Sequence, residues 1–258
     1  MYFIIGGKGL AGSSIVNVLK NKKEKYEIIQ KENQEKFFGK SCDVLIFANG
    51  NPYRYKANND PFYDFSASVT SAAKYIHKIN FRTFVLLSTV YVYDKKDSKK
   101  TTCEDTIIDE TKLDTYGYHK LLIENYVKQY CNNYLIFRLP VLVGNNLKKN
   151  PAYDFVHKRK KVRISPNSKL NFLNVDKLAD TILKIVKLQL KNEIFNLASN
   201  NSMKIKDIKK IIGYDTKYFI GAEKFLQNYQ INIKKIQKYS KMNSSEKSIR
   251  DYFKSLKK

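Results

Sequence analysis

Tyr2-Phe3-Ile4-Ile5-Gly6-Gly7-Lys8-Gly9-Leu10-Ala11-Gly12 opens the chain, and its reading decides the fold. Four β-prone residues run straight into glycines at 6, 9 and 12. Ser13–Asn21 then has helical spacing, with Ile15, Val16, Val18 and Leu19 on one face. A strand, a glycine turn and a helix in that order make a phosphate-binding turn. Glycines there allow a tight bend, close approach of the backbone to a pyrophosphate, and close packing of helix on strand. The helix start adds unpaired N–H groups and the positive end of its dipole. The spacing is G-x-x-G-x-x-G, so the context, more than the spacing, carries the reading.

Outward from this turn, strands and helices alternate. Tyr26–Ile29 reads as a second strand, and Cys42–Ala48 as a buried one whose nearly continuous apolar run suits a parallel sheet covered on both faces. Asp60–Ile79 is expected as one long helix with Pro61 at its start. Phe84–Ser88 is another buried strand, Tyr116–Tyr130 a helix, and Tyr134–Leu139 a strand ended by Pro140. The expected fold is α/β: a doubly wound parallel (Rossmann) sheet with a small C-terminal substrate-binding cap. Residues 1–145 would mainly hold the nucleotide, and 146–258 would mainly form the cap, interleaved with the last sheet strands.

Composition narrows the class. No apolar run approaches the roughly 18 residues of a membrane span, and no signal-peptide pattern precedes the first strand, so a cytoplasmic protein without membrane insertion is expected. Cys42, Cys103 and Cys131 are too scattered for a disulfide framework or a metal site. The net charge of +24 raises the question of nucleic acid. The lysines, however, are spread along the whole chain and no nucleic-acid-binding motif accompanies them, so no nucleic acid is expected. The basic cluster His157–Lys161 with Arg163 suits either an anionic small substrate or a solvated loop.

Tyr116 and Lys120, four apart in Thr115-Tyr116-Gly117-Tyr118-His119-Lys120, share one helix face. A free tyrosine titrates near ~10 and is a poor acid–base group at neutral pH. A neighbouring ammonium stabilises the phenolate and brings it toward the working range. A hydroxyl from Ser88-Thr89-Val90-Tyr91-Val92 would polarise a carbonyl oxygen as charge develops there. In a chain with 19 tyrosines the pair alone would be weak. Behind a glycine turn and a Ser-Thr strand end, it points to hydride transfer at a carbonyl.

Dinucleotide sites for NAD carry a carboxylate at the end of the second strand. Here Gln30 and Lys31 occupy that place, with Glu32 beyond, and Lys8 stands inside the turn. A cation without that carboxylate favours a 2′-phosphate, so NADP(H) is preferred and NAD(H) kept as possible. A surface lysine in a lysine-rich chain is the competing reading of Lys8.

Taken together, Gly6–Gly12, Asp43–Ala48, Ser88–Tyr93, Tyr116–Lys120, Phe137–Pro140 and Asn171–Asp176 resemble the extended short-chain dehydrogenase/reductases of the nucleotide-sugar epimerase/dehydratase superfamily. The resemblance covers nearly the whole chain. It implies Tyr116 as acid/base, Lys120 as its partner and Thr89 as the polarising hydroxyl, four residues before Tyr93 of the Val-Tyr pair. It also implies a cofactor set of Gly6, Lys8, Gly9, Leu10, Gly12, Lys31, Ala48, Asn49, Ser88 and Lys120. Tyr91, Arg163 and Lys169 would meet the substrate. Sugar 4,6-dehydratases carry Asp-Glu after the hydroxyl, and this chain has Val90-Tyr91. Ser88–Val92 is similar, with one change, to the Ser-Thr-Asp-Tyr-Val of dTDP-4-dehydrorhamnose reductase-type enzymes. GDP-fucose synthases, which use NADPH, place a basic residue where Lys8 stands. The chain departs from the family with Ser68 near an expected Asn, with Phe47-Ala48-Asn49-Gly50 at a strand end, and with Lys169 near an expected Arg.

The resemblance thus implies NADPH-dependent reduction of a nucleoside-diphosphate 4-keto (deoxy)sugar in surface polysaccharide or glycan precursor synthesis, by a homodimer. An epimerase with tightly bound NAD would use the same residues. A non-catalytic NADP(H) sensor is the alternative of another class.

Overall fold

Tyr2–Ile5 form β1, and all four residues are buried. The glycine turn delivers the chain into α1 (Leu10–Asn21), then β2 (Tyr26–Ile29) and β3 (Ser41–Phe47). Only a short 3-10 turn, Gln34–Phe37, separates β2 from β3. The next elements are α2 (Arg54–Asn59), α3 (Pro61–Phe65), α4 (Ser71–Lys78), β4 (Asn80–Thr89), α5 (Thr115–Tyr130) and β5 (Tyr134–Leu139). Later come β6 (Val141–Val143), α6 (Pro151–Val156), β7 (Lys169–Leu170), β8 (Phe172–Asn174), α7 (Val175–Lys187), β9 (Glu193–Asn196), β10 (Met203–Lys204), α8 (Ile208–Ile212), α9 (Lys234–Gln237) and α10 (Ser245–Ser255). The computed structural model describes residues 1–157, 164–213 and 226–256.

Six strands form one sheet in the order β2-β1-β3-β4-β5-β9. β1 runs parallel to both β2 and β3, and β3 parallel to β4. The strand order reverses at β1, so a switch point lies where β1 and β3 end, the place where open α/β sheets hold ligands. On one face, Phe3, Ile5, Leu45, Phe47, Phe84, Leu86 and Ile136 share a core with Ala72, Tyr75 and Ile76 of α4 and Ile123 and Val127 of α5. The alternate residues Tyr2, Ile4, Val44, Ile46 and Val85 are buried as well. Burial of both sets is what the continuous apolar runs foretold: a doubly wound Rossmann sheet.

The stretch expected as one long helix is helical from Pro61 to Lys78, with one π-helical turn inside it. Asp60 caps α3 by accepting from the Tyr63 N–H at 3.0 Å, and a π-helical turn, Ser66–Thr70, intervenes before α4. π-helical turns often sit at functional sites, and this one buries Ser68.

The chain divides into two compact units. One comprises Met1–Asp94, Glu104–Arg138 and Ala179–Phe195; the other comprises Lys95–Cys103, Leu139–Leu178 and Asn196–Lys258. Within the second unit β6 pairs with β8 in parallel, and β7 with β10 antiparallel. Its loops are tied by buried amides: Asn171 Nδ2 donates to the carbonyls of Ser199 (2.8 Å) and Asn201 (2.9 Å). Asn196 Nδ2 donates to the Thr102 carbonyl at 2.7 Å. Among the described residues no helix is long and apolar enough to cross a membrane.

Candidate active site

The glycine turn closes on the end of β3. A Cβ at Gly12 would stand 2.3 Å from the Gly6 carbonyl oxygen, so only glycine lets α1 approach the turn this closely. Gly9 differs: a Cβ there would meet only the Gly6 oxygen, at 3.3 Å, and otherwise open space. Gly9 is also the α1 cap, with no side-chain hydrogen bond, and the first turn of α1 carries no acidic residue. The first turn of α1 thus carries no competing carboxylate and the space beside Gly9 is open, which fits a dinucleotide pyrophosphate. Leu10 flanks it half-buried, with Ala48 half-buried and Asn49 exposed beyond β3.

Lys8 and Lys31 are both exposed. Gln30, just past β2, has a buried side-chain amide nitrogen with no hydrogen-bond partner among the described residues. An unpaired donor where NAD enzymes carry a carboxylate suits an anionic or hydroxyl acceptor on the cofactor's ribose.

Thr89, Tyr116 and Lys120 come together in the first unit. The Tyr116 hydroxyl is hydrogen-bonded to Thr89, and Thr89 Oγ1 also accepts from the Tyr91 N–H at 3.3 Å. Lys120 Nζ lies 5.6 Å from the Tyr116 ring centre, one turn along α5. Tyr116 is half-buried as a residue, yet burial of its hydroxyl end is the main cause raising its pKa. The nearby Tyr91, Asp64 and Asp114 add to that rise, and the Thr89 hydrogen bond opposes it. Burial pulls Lys120 down to about 8, against the charge of Asp64. The phenol is thus held protonated, ready to donate, beside an amine that titrates near the physiological range.

The start of α5 is fixed by a cluster that sequence reading missed. Asp114 caps the helix through the Gly117 N–H at 2.9 Å, and its other oxygen pairs with Arg54 Nε and accepts from Asn58 Nδ2 at 3.2 Å. Burial opposes ionisation of Asp114, but the Gly117 N–H and the Arg54 guanidinium together hold its carboxyl below the usual range. Arg54 also lies over the Tyr91 ring at 5.0 Å, and Tyr91 meets Tyr116 edge-on at 5.7 Å. Gly117 permits this closeness, since a Cβ there would stand 2.5 Å from the Tyr91 carbonyl.

Ser88 is engaged elsewhere. Its hydroxyl donates to Glu124 at 2.5 Å, and Glu124 also binds Arg138 through Nη2 at 2.8 Å. Arg138 Nη1 in turn donates to the Tyr93 hydroxyl at 2.9 Å. Glu124, Arg138 and Tyr93 are almost completely buried, so this network ties the end of β4, α5 and β5 from within. Lys169 lies on β7 of the second unit, and Arg163 lies outside the described residues. Among the described residues no group of His, Cys, Asp or Glu side chains could hold a metal.

Comparison with known proteins decides the family. The model of the NAD dependent epimerase/dehydratase family matches residues 2–198. The chain belongs to that family. It is an NAD(P)-dependent enzyme of the extended short-chain dehydrogenase/reductase type. No curated protein sequence matches the chain. Among solved structures, a dTDP-4-dehydrorhamnose reductase from Clostridium acetobutylicum is similar at 18% identity and TM-score 0.78, covering 100% of this chain and 99% of that one. UDP-glucuronic acid 4-epimerase from Bacillus cereus, in complex with UDP-glucuronic acid and NAD, is similar at 17% identity and TM-score 0.77, covering 99% of each. RMD from Pseudomonas aeruginosa, complexed with NADPH, is similar at 14% identity and TM-score 0.78, covering 99% of each. At these identities the likeness is one of fold.

Proposed function

We propose that this family member reduces the keto group of a nucleoside-diphosphate 4-keto (deoxy)sugar with NADPH, as a cytoplasmic step in making polysaccharide or glycan precursors. The observation that carries the reading is the Tyr116 phenol. It is kept protonated by burial, hydrogen-bonded to Thr89, and followed one helical turn later by Lys120. Where a dehydratase needs an acid and a base, Val90 is buried and Tyr91 packs on Tyr116.

The turn Gly6–Gly12, with Leu10, Ala48 and Asn49, would hold the dinucleotide, and Lys8, Gln30 and Lys31 its 2′-phosphate. A dinucleotide held there would supply the hydride for the carbonyl carbon. Thr89 and Tyr116 hold the carbonyl oxygen and share the charge that develops on it. Tyr116 gives that oxygen its proton, so the product is an alcohol, and the Lys120 ammonium stabilises the phenolate left behind. Solvent then returns the proton to Tyr116. Tyr91 contacts the sugar, and Lys169 and Arg163 are assigned to its diphosphate. Exposed Phe62, Tyr63 and Phe65 on α3 and Tyr130 on α5 support a homodimer built on these helices, since large rings in water mark contact surfaces.

Titrating NADPH against NADH, then screening nucleotide-linked 4-keto sugars for NADPH consumption, tests the reading. Tighter NADPH binding with consumption by at least one keto sugar is expected. Equal or tighter NADH binding, with epimerised product and no net oxidation of cofactor, would replace the reductase by an epimerase.

A further inference from the structure

Two buried titratable side chains stand beside the Tyr116–Lys120 face without a part in the proton transfer above. Asp64 on α3 is wholly buried and His119 on α5 nearly so. His119 Nδ1 lies 2.7 Å from Asp64 Oδ2, and Asn51 Nδ2 donates to Asp64 Oδ1 at 2.9 Å. An ionised carboxylate can only accept, so His119 Nδ1 is the donor in that contact. The Phe65 ring meets the His119 ring edge-on at 5.4 Å, holding it in place.

Asn51 is anchored as firmly. Its own N–H donates to Ser68 Oγ at 3.2 Å, its Nδ2 also donates to the Tyr53 carbonyl at 3.0 Å, and its Oδ1 accepts from the Tyr53 N–H at 2.9 Å. The preceding residue, Gly50, has φ +114°, and a Cβ on it would stand 3.0 Å from Lys120 Nζ and 3.1 Å from Ser68 Oγ. Lys120 therefore ends against the segment that carries Asn51 and hence Asp64.

Among the described residues, three groups bear on Lys120. Tyr116 lies beside it on the same helix, the Ser68 hydroxyl borders Gly50 as Lys120 Nζ does, and the charge of Asp64 on α3 acts on the amine. Burial disfavours the ammonium, and the Asp64 charge opposes that effect. A neutral amine could not stabilise the Tyr116 phenolate. A buried carboxylate is costly unless its charge is matched: His119 contacts Asp64 at 2.7 Å, and the Asp64 charge also acts on Lys120.

We propose that Asp64 is a positioning residue, its carboxylate clamped by His119 and Asn51 as the counter-charge that keeps Lys120 an ammonium beside Tyr116. This rests on the reading of Lys120 as the partner of Tyr116, but its test needs neither substrate nor turnover.

Competitive acetylation of the ligand-free protein across pH, read on the Lys120 peptide by mass spectrometry, gives the ionisation midpoint of Lys120. Asp64→Asn is expected to lower that midpoint by about one unit or more, because an opposite charge is lost. His119→Leu should move it the same way, since the carboxylate loses one of its two clamping donors, and His119→Gln, which keeps a donor, should restore it. Midpoints unchanged in both Asp64→Asn and His119→Leu would overturn the proposal. If Asp64→Asn does not fold, the His119 pair decides alone. A lowered midpoint in a protein that reduces no keto sugar would uphold the counter-charge and remove the reductase reading.

Discussion

The Thr89 hydroxyl is bonded to the Tyr116 phenol, while its neighbour Ser88 donates to Glu124 at 2.5 Å. Two adjacent hydroxyls at one strand end thus have different duties. Thr89→Val should lower kcat by about 100-fold, the scale of losing one donor to a developing oxyanion, with little change in stability. Ser88→Ala should cost about 1–3 kcal/mol of stability, because buried Glu124 loses a donor, and only modest activity. Steady-state kinetics and urea melts of the two variants check the division of labour. The reverse pattern would assign the chemistry to Ser88.

Tyr116 stays protonated as pH rises because burial pushes its pKa up, so the alkaline limb of activity belongs to Lys120. With Lys120 titrating at about 8, kcat/KM should be flat through neutral pH and fall above that point. Lys120→Arg keeps a cation at all accessible pH and should abolish the fall, even at a lower plateau. A profile whose alkaline limb is identical in both proteins would move the titration elsewhere.

The same depression bears on stability. Lys120 binds its proton less tightly in the folded state than in the unfolded chain, where it titrates near 10.5. The folded state therefore pays a penalty that is complete below about pH 8 and fades as pH rises toward 10.5. Lys120→Met should raise stability at pH 7 by about 2 kcal/mol, and by less at pH 10. Urea melts at the two pH values measure the difference.

Glu124 and Arg138 form the deepest ion pair among the described residues. Burial works against the Arg138 charge, but Glu124 and the Tyr93 hydroxyl more than offset it and raise its pKa. Glu124→Leu leaves the guanidinium buried beside Tyr93 without a counter-charge and should destabilise the protein by about 3–5 kcal/mol. Replacing both, Glu124→Leu with Arg138→Met, should recover much of that loss. A double-mutant cycle in denaturant gives both numbers.

At the turn, Gly9→Ala should leave folding nearly intact, since its Cβ would meet only one oxygen at 3.3 Å, yet obstruct the phosphates. Gly12→Ala would place a Cβ 2.3 Å from the Gly6 oxygen and should damage the fold itself. Thermal melts beside dinucleotide titrations separate the two effects.

These sites were not equally legible in the sequence. The glycine turn and Tyr116–Lys120 depend on spacings of a few residues, which a strand-to-helix turn and one helical turn convert directly into geometry. Asp64–His119 and Arg54–Asp114 join residues 55 and 60 positions apart. No local period announces such pairs; only the packing of α2 and α3 beside α5 does. His119 adjoins Lys120 in the sequence, but nothing local marks Asp64 as its partner. Lys8 and Gln30 were visible as a cation present and a carboxylate missing, whereas the unpaired Gln30 amide depends on burial. The π-helical turn is not legible because one extra residue shifts the helical phase only within a single short stretch.

The central claim is that Tyr116 protonates a keto oxygen as NADPH is spent. Its most direct test is a single-turnover measurement of NADPH consumption with a nucleoside-diphosphate 4-keto sugar, comparing the native protein with Tyr116→Phe. Native protein should oxidise one NADPH per alcohol formed, and Tyr116→Phe should be slower by about 100- to 10,000-fold while binding NADPH as before. Equal rates in the two proteins would contradict the account.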